Sequence, residues 1–474
     1  MSSKTPLCVD LDGTLIKSDL LLETFIKLIK QNFVYLFLMP YWLLKGKACL
    51  KHAIAQRVVV EYSLLPYNAD VINYIKKQKN AGRQVILVTA SDIKLAHGIA
   101  DYLGMFDKVF ASDSRINLKG RMKAEKLVAE YGERGFTYIG NDEADLHIWK
   151  HADLAVVTGS NKTLKNKIDR GTPVELIECE SEYSVPELFI RATRPHQWVK
   201  NVLIFIPLLL AHEYTDLTRV LSTFQAFVSF CLCASAVYIF NDLMDLDSDR
   251  IHPTKKYRPF ASGDLSLLTG MIFSPVLLII SLALAIHLSV DYVLVFSVYF
   301  ISTTAYSLGL KTIALLDVFI LAGLYTIRVL AGTVAANVEL SFWLLAFSLF
   351  LFFSLALLKR YSELFNLAKR DKESTTGRGY LTEDKNLLAA LGIASGYISV
   401  LVMALYLQTP EHIEHYRHPE LVWMVFPALL YWVSRIWLLA HRGFVNEDPV
   451  LFAVKDPQSY VIVVIAILGI FLAL

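Results

Sequence analysis

The sequence predicts a multi-domain chain: an α/β domain built on a parallel sheet, followed by an all-α polytopic membrane bundle. Three observations predict it. The 474 residues are 55% hydrophobic and 19% charged, with mean hydropathy +0.45, which is high for one soluble globule and low for a chain lying wholly in lipid. Residues 1–187 hold 25 of the 46 Lys and Arg, whereas long apolar runs dominate from Trp198 onward. Short β-rich runs alternate with helical stretches only in the first part. The net charge of +2 and pI near 8.1 give no basic field for nucleic acid. The cysteines, Cys8, Cys49, Cys179, Cys231 and Cys233, form no CxxC pair, which argues against zinc and redox motifs.

In the first part, strands are expected at Pro6–Asp10, Gln84–Thr89, Lys108–Ala111, Phe136–Gly140 and Leu154–Thr158. Helices are expected near 68–81, 92–103, 123–132 and 143–151. This alternation gives a parallel sheet, whose sites form at the carboxyl ends of strands. Three such ends are polar. The first reads Asp10-Leu11-Asp12-Gly13-Thr14, with two carboxylates at i and i+2 on one side of an extended chain. The second carries Thr89 and Ser91, hydroxyls suited to phosphate oxygens. The third, Asn141-Asp142-Glu143-Ala144-Asp145, suits a hard cation such as Mg2+. Lys119 and Lys123 add positive charge.

This ordered set resembles the haloacid-dehalogenase superfamily of phosphotransferases, whose four motifs fall within residues 6–158. The resemblance implies a Rossmann-like fold over 1–180 with a small helical cap at about 18–68. It implies Asp10 as nucleophile and metal ligand, and Asp12 as general acid–base and metal ligand. Thr89, with Ser91 second, would bind phosphate beside Lys123, for which Lys119 is the alternative. Asp145 would hold Mg2+ with Asn141 or Asp142. Asn141 stands where the family usually has Asp, so either its amide oxygen or the neighbouring Asp142 supplies that ligand. The apolar stretch 33–44 is too short to span a bilayer and reads as an interfacial or cap-packed helix.

After an expected linker at 181–193, residues 194–474 contain nine apolar segments: 199–213, 219–240, 267–287, 289–308, 313–335, 341–358, 387–407, 420–438 and 457–474. Each approaches or exceeds the about 17–25 residues a span requires. No cleavable signal peptide is expected, because residues 5–10 are a short apolar run ending in acids. With a cytoplasmic N-terminus and nine alternating spans, the inner connections carry eighteen Lys and Arg, including Arg370 and Lys372. The outer ones carry only Arg219 and Arg417. The positive-inside bias then places the α/β domain with the charged loops and the C-terminus opposite.

The segment Asn241-Asp242-Leu243-Met244-Asp245-Leu246-Asp247-Ser248-Asp249 puts Asp242, Asp245 and Asp249 on one helical stripe. Three carboxylates at a membrane's inner edge suit a divalent metal holding a diphosphate. This NDxxDxxxD segment resembles the first aspartate motif of UbiA-type intramembrane prenyltransferases. The resemblance extends to Lys255, Lys256 and Arg258 as phosphate-binding cations, and to Tyr306 and Lys311 as a phosphate motif with one extra intervening residue. The second acidic motif departs from the family: Lys359-Arg360-Tyr361-Ser362-Glu363 replaces paired aspartates. With Arg194 through Lys200, it is similar to the branch that includes decaprenyl-phosphate phosphoribosyltransferase.

That resemblance implies transfer of 5-phosphoribose from phosphoribosyl diphosphate to polyprenyl phosphate. Mg2+ would serve both domains, in a bacterial inner membrane. Glu363 would be the second-motif metal ligand. Lys359 and Arg360 would bind phosphate or form helix pairs, and Arg194 and Lys200 would receive lipid phosphate or anchor the helix. Arg328 and Asp317, charged within an apolar span, read as functional or as structural ion-pair partners. The α/β domain would remove the product's 5-phosphate. The alternatives are prenyl transfer to an aromatic acceptor and a regulatory α/β domain. Nothing in the sequence sets an oligomeric state.

Overall fold

The computed structural model describes residues 5–159, 162–169, 171–178, 183–369, 378–407, 417–445 and 448–473. Arg370 and Lys372, counted above among the inner basic residues, lie outside them. Chain contacts divide the protein into two compact units. One holds Met1–Thr193 with Tyr238–Ser274, and the other holds Arg194–Val237 with Pro275–Leu474.

The first unit is built on six strands: β1 Leu7–Val9, β2 Val85–Asp92, β3 Lys108–Ser112, β4 Thr137–Gly140, β5 Leu154–Thr158 and β6 Val174–Ile177. Their order is β3-β2-β1-β4-β5-β6, and every pair is parallel. β1 is central, with Cys8 opposite Ile86 on one side and Tyr138 on the other. Its alternating side chains enter two cores. Leu7 and Val9 join Leu87, Ile139 and Val156, while Cys8 joins Ile86, Val88, Tyr138 and Val157. Neighbours β2 and β4 come from opposite directions of the winding, so the switch point lies at the end of β1, where Asp10 sits.

Five strands fall where expected. β6 was not anticipated, because Val174–Ile177 lacks a hydrophobic alternation. The cap expected over 18–68 consists of α1 Leu20–Gln31, α2 Tyr35–Leu44 and α3 Lys47–Ala55. Leu28, Trp42, Ile54 and Val58 close it into a small core. Asp19 starts α1 by accepting the Leu21 and Leu22 amides at 2.8 and 3.2 Å. The sheet is flanked by α4 Ala69–Asn80, α5 Ile93–Leu103, α6 Arg121–Tyr131, α7 Leu146–Trp149 and α8 Lys162–Lys167, and α9 Val185–Thr193 follows. The helix expected at 143–151 is instead a 3-10 turn, Glu143–Asp145, followed by the single turn of α7.

From residue 194 the chain begins with a 3-10 run, Pro195–Phe205, and the short helix α10 Ile206–Leu210. Then come α11 Leu217–Met244, α12 Leu246–Ile251, α13 Leu267–Leu288, α14 Val290–Leu308, α15 Leu316–Ala336, α16 Phe342–Ala368, α17 Lys385–Leu407, α18 Pro419–Val422, α19 Val425–His441, α20 Pro449–Lys455 and α21 Pro457–Ala473. Among the described residues, six helices are long and apolar enough to cross a membrane, or seven if α20 and α21, bent by 80°, form one span. The expected nine spans are not confirmed by this count. Segment 199–213 makes 3-10 structure and one short helix, because Pro207 removes an amide donor. α14 has the length, but Ser302, Thr303, Thr304 and Ser307 lower its apolarity.

Candidate active sites

The first site lies at the carboxyl end of β1. Asp10 Oδ1 accepts from Lys123 Nζ at 2.8 Å and from the Leu11 amide at 2.9 Å. Of the two expected lysines, Lys123 reaches Asp10, from the first turn of α6. Its ammonium also donates to Tyr138 OH at 2.9 Å, and that hydroxyl donates to Asp145 Oδ1 at 3.1 Å. Asp145 Oδ2 accepts the Asn141 and Asp142 amides, each at 3.0 Å. One buried chain, Asp10, Lys123, Tyr138 and Asp145, thus links the end of β1, the start of α6, and β4 with the segment after it.

Asp12 Oδ2 accepts from Ser91 Oγ at 2.7 Å, and its Oδ1 accepts the Leu20 amide at 2.8 Å. Thr89 Oγ1 accepts the Ser91 amide at 3.0 Å, within the stretch of β2 where its register with β3 shifts. Thr14 Oγ1 donates to Asn141 Oδ1 at 3.0 Å. Gly13, at φ +74°, permits this approach, since a Cβ there would lie 2.4 Å from Asn141 Nδ2. Asp142 Oδ1 accepts the Glu143 amide at 2.6 Å and caps the following turn. Burial pushes the Asp12 carboxyl up to about 7, and the charges of Asp19 and Asp10 act the same way. Burial likewise lifts Asp145 to about 6, with Asp10 adding and Lys123 opposing. A buried acid that keeps its proton near neutrality suits proton donation to a leaving group.

The acidic segment after α11 forms a second cluster within the first unit. The helix breaks at Asp245, between α11 and α12. Arg258 Nη1 donates to Asp242 Oδ1 at 3.1 Å and to Asp249 Oδ2 at 2.6 Å. Two expected ligands thus converge on one cationic point, from opposite sides of the break. Asp245 pairs with Lys30 at 3.5 Å. Lys255 and Lys256 lie exposed in a 3-10 turn before Arg258.

The second unit gathers other expected residues. Arg360 is 1% exposed and donates to Asp317 Oδ2 at 2.5 Å, Glu363 Oε2 at 2.6 Å and Tyr306 OH at 3.0 Å. Glu363 also accepts from Arg378, and Asp317 from Tyr380. Lys200 and Lys359 converge on Asp448 Oδ2 at 2.8 and 3.0 Å. Arg328 donates to Asn201 Oδ1 at 2.8 Å and Tyr299 OH at 3.0 Å. Lys311 is half-buried in a 3-10 turn, and Arg194 takes a left-handed φ of 51°.

Among the described residues, no three His, Cys, Asp or Glu side chains are gathered tightly enough to form a ready metal cage. Asp12 and Asp145 use both oxygens on protein donors. The better fit for a divalent ion is the Asp242–Asp249 convergence, where hard oxygens already surround a positive charge. Sequence reasoning missed Tyr138, Lys51 and Asp448, whereas Tyr380 stands in the Arg378-Gly379-Tyr380 run that accompanies the second motif. Lys51 of the cap donates to Ala90 O at 2.6 Å and Asn117 Oδ1 at 3.3 Å. Asp448 carried one readable signal, an acid before Pro449 at a helix start.

The sequence profile of the UbiA prenyltransferase family matches residues 202–452. The uncharacterised protein y4nM of Sinorhizobium fredii is 39% identical over 462 residues, covering 97% of this chain and 89% of that protein, so both halves recur together. Nodulation protein NoeC of Azorhizobium caulinodans is 36% identical over 281 residues, 59% of this chain and 91% of its own. Decaprenyl-phosphate phosphoribosyltransferase of Mycolicibacterium smegmatis is 39% identical over 187 residues, 38% of this chain and 58% of that protein. The N-terminal part is the parallel-sheet α/β domain expected from the sequence, with Asp10 and Asp12 following its central strand. The membrane half carries the aspartate segment together with the profile match, and the chain belongs to the UbiA prenyltransferase family.

Proposed function

We propose that the membrane half transfers 5-phosphoribose from phosphoribosyl diphosphate to polyprenyl phosphate, and that the N-terminal domain then removes the 5-phosphate. The observation that carries the donor choice is the 39% identity to a decaprenyl-phosphate phosphoribosyltransferase. It is joined by basic side chains in place of a second aspartate pair, among them Lys359 and Arg360. In this reading Arg258, Lys255 and Lys256 bind the donor's diphosphate, and Asp242, Asp245 and Asp249 hold Mg2+. Bound Mg2+ supplies charge neutralisation for the departing pyrophosphate. The acceptor phosphate is already anionic, so it attacks the anomeric carbon without a protein base. Lys200 and Lys359, brought together by Asp448, are its receptors.

In the N-terminal domain Asp10 attacks phosphorus, and the bond to the ribose oxygen breaks. Asp12 gives that oxygen its proton and afterwards takes one from the water that cleaves the aspartyl-phosphate. Lys123 holds Asp10 in place and offsets the negative charge. The reading places the enzyme in a bacterial inner membrane with its N-terminal domain in the cytoplasm.

The test supplies labelled phosphoribosyl diphosphate and polyprenyl phosphate to the wild type and to Asp10→Asn. The wild type is expected to give lipid-linked ribose, and the variant its 5-phosphate. Identical products remove the phosphatase step, and turnover only with prenyl diphosphate replaces the donor.

A further inference from the structure

Cap helix α1 touches both candidate sites of the first unit. At its start, the Leu20 amide donates to Asp12 Oδ1 at 2.8 Å. Farther along, Glu23, Lys27 and Lys30 recur at spacings of four and three, which places them on one face. Each meets a residue of the acidic segment, in antiparallel order. Glu23 pairs with Arg250 through two bonds, Nη2 to Oε1 at 2.6 Å and Nη1 to Oε2 at 3.1 Å. Lys27 lies 2.9 Å from Asp247. Lys30 donates to Met244 O at 2.7 Å and lies 3.5 Å from Asp245.

These contacts are specific. The Glu23 side chain is fully buried, and that of Arg250 is 6% exposed. A buried, two-pronged carboxylate–guanidinium pair fixes orientation, and losing one partner strands the other charge. Arg250 Nε also donates to Ala261 O at 3.0 Å, which ties down the far end of the loop. Lys30 sits on the last carbonyl of α11, where a cation favours helix termination, and the chain breaks at the next residue. That break lies between Asp242 and Asp249, which both accept from Arg258 Nη1. A further tie is Lys17 to Asp264 at 2.9 Å. Beside it Gly263, at φ +79°, lies so close that a Cβ would be 2.7 Å from Lys17 Cβ.

We propose that Glu23, Lys27 and Lys30 of the phosphatase-like cap are positioning residues for the transferase's aspartate segment, and that α1 couples that segment to Asp12. The inference rests on the transferase reading above for its consequence in turnover, but the coupling itself does not require a particular donor. A shift of the acidic segment pulls on α1 through three ion pairs and moves the amide that Asp12 accepts. The cap therefore senses the state of the aspartate segment, and the phosphatase domain is a structural part of the transferase.

The experiment uses the full chain in lipid nanodiscs, with Lys27→Glu, Asp247→Lys and the exchanged pair, and Glu23→Gln as a milder second probe. Hydrogen exchange of residues 20–31 and 244–251 is read first, because it needs no substrate. Each single charge reversal is expected to speed exchange in both segments about tenfold, and the exchanged pair to bring it back within threefold. Glu23→Gln is expected to act in the same direction. Unchanged exchange in the single variants overturns the coupling. The Michaelis constant for phosphoribosyl diphosphate is read second and is expected to rise at least fivefold in Lys27→Glu, more than kcat falls, with recovery in the exchanged pair. Altered exchange with unaltered kinetics overturns the positioning role. A wild type inert toward phosphoribosyl diphosphate overturns the donor reading alone, and the exchange result then decides the coupling.

Discussion

A carboxyl whose folded-state pKa lies above its ordinary 3.8 binds more protons folded than unfolded. Asp12, near 7, and Asp145, near 6, are both of this kind, with burial the main cause. Their contribution to stability is fully present below about pH 3.8 and is lost as pH rises from there to the folded values of about 6 and 7. In chelated protein, apparent stability is therefore expected to fall from about pH 4 to pH 7 and to level off above, by at most about 1.4 kcal/mol per pH unit for each group. Thermal unfolding across that range checks it. Asp12→Asn is expected to flatten the slope, as is Mg2+ that binds the ionised carboxylates; a slope indifferent to the substitution removes Asp12 as its source. In the membrane half, Arg360 and Asp317 form a buried pair, 1% and 0% exposed. Arg360→Met leaves Asp317 buried without its guanidinium and is expected to cost about 3–5 kcal/mol, much of it recovered by adding Asp317→Leu. Thermal unfolding in detergent distinguishes this, and a lack of recovery sinks the account. At this scale, Asp10, Asp12 and Lys123 were legible because a short motif and a helix start carry them. Tyr138 and Asp448 were not. Their roles come from partners far away in sequence, and a tyrosine in a strand looks like ordinary core.

Among the elements, α2 has the least usual surface. Phe37 is 73% exposed and Leu44 88%, with Phe33, Val34, Tyr41 and Leu43 exposed beside them, while Trp42 alone in the helix is buried. The sequence left this stretch as either cap-packed or interfacial. The structure gives Trp42 to the cap core and leaves the remaining apolar face toward the surroundings. A short apolar helix followed by Lys45 and Lys47 suits the boundary of a bilayer. A nitroxide at Phe37→Cys in proteoliposomes is expected to be relaxed more by oxygen than by an aqueous nickel chelate. The reverse order places α2 in water. The strands were legible from β-rich runs between turn signals, and β6 was missed because its exposed Glu175 breaks the pattern. Span number was legible only as apolar length. Hydropathy does not see that Pro207, in the first turn of α10, follows a 3-10 run rather than a long helix, or that the 28-residue α11 stops at Met244, whose carbonyl accepts from Lys30.

For the molecule as a whole, the question is what the two proposed reactions would gain by sharing one chain. A flexible tether holds a second site at an effective concentration near millimolar, far above the concentration of a dilute enzyme. The lipid product, moreover, stays in the same membrane as the domain that would act on it. The gain should therefore appear as less escape of the phosphorylated intermediate, with the rates of the separate steps unchanged. Mixing two full-length variants isolates it: Asp10→Asn retains only the transferase step, and Asp242→Asn retains only the phosphatase step. Reconstituted at about one protein per vesicle, the mixture forces the intermediate to cross between vesicles, whereas the wild type does not. The wild type is expected to convert nearly all its product to the dephosphorylated form, and the mixture to accumulate the 5-phosphate at least tenfold. When many copies share each vesicle, diffusion in the bilayer supplies the encounter and the difference should shrink. Equal accumulation at both densities would mean that the fusion serves only to position the aspartate segment, with no benefit to the second reaction.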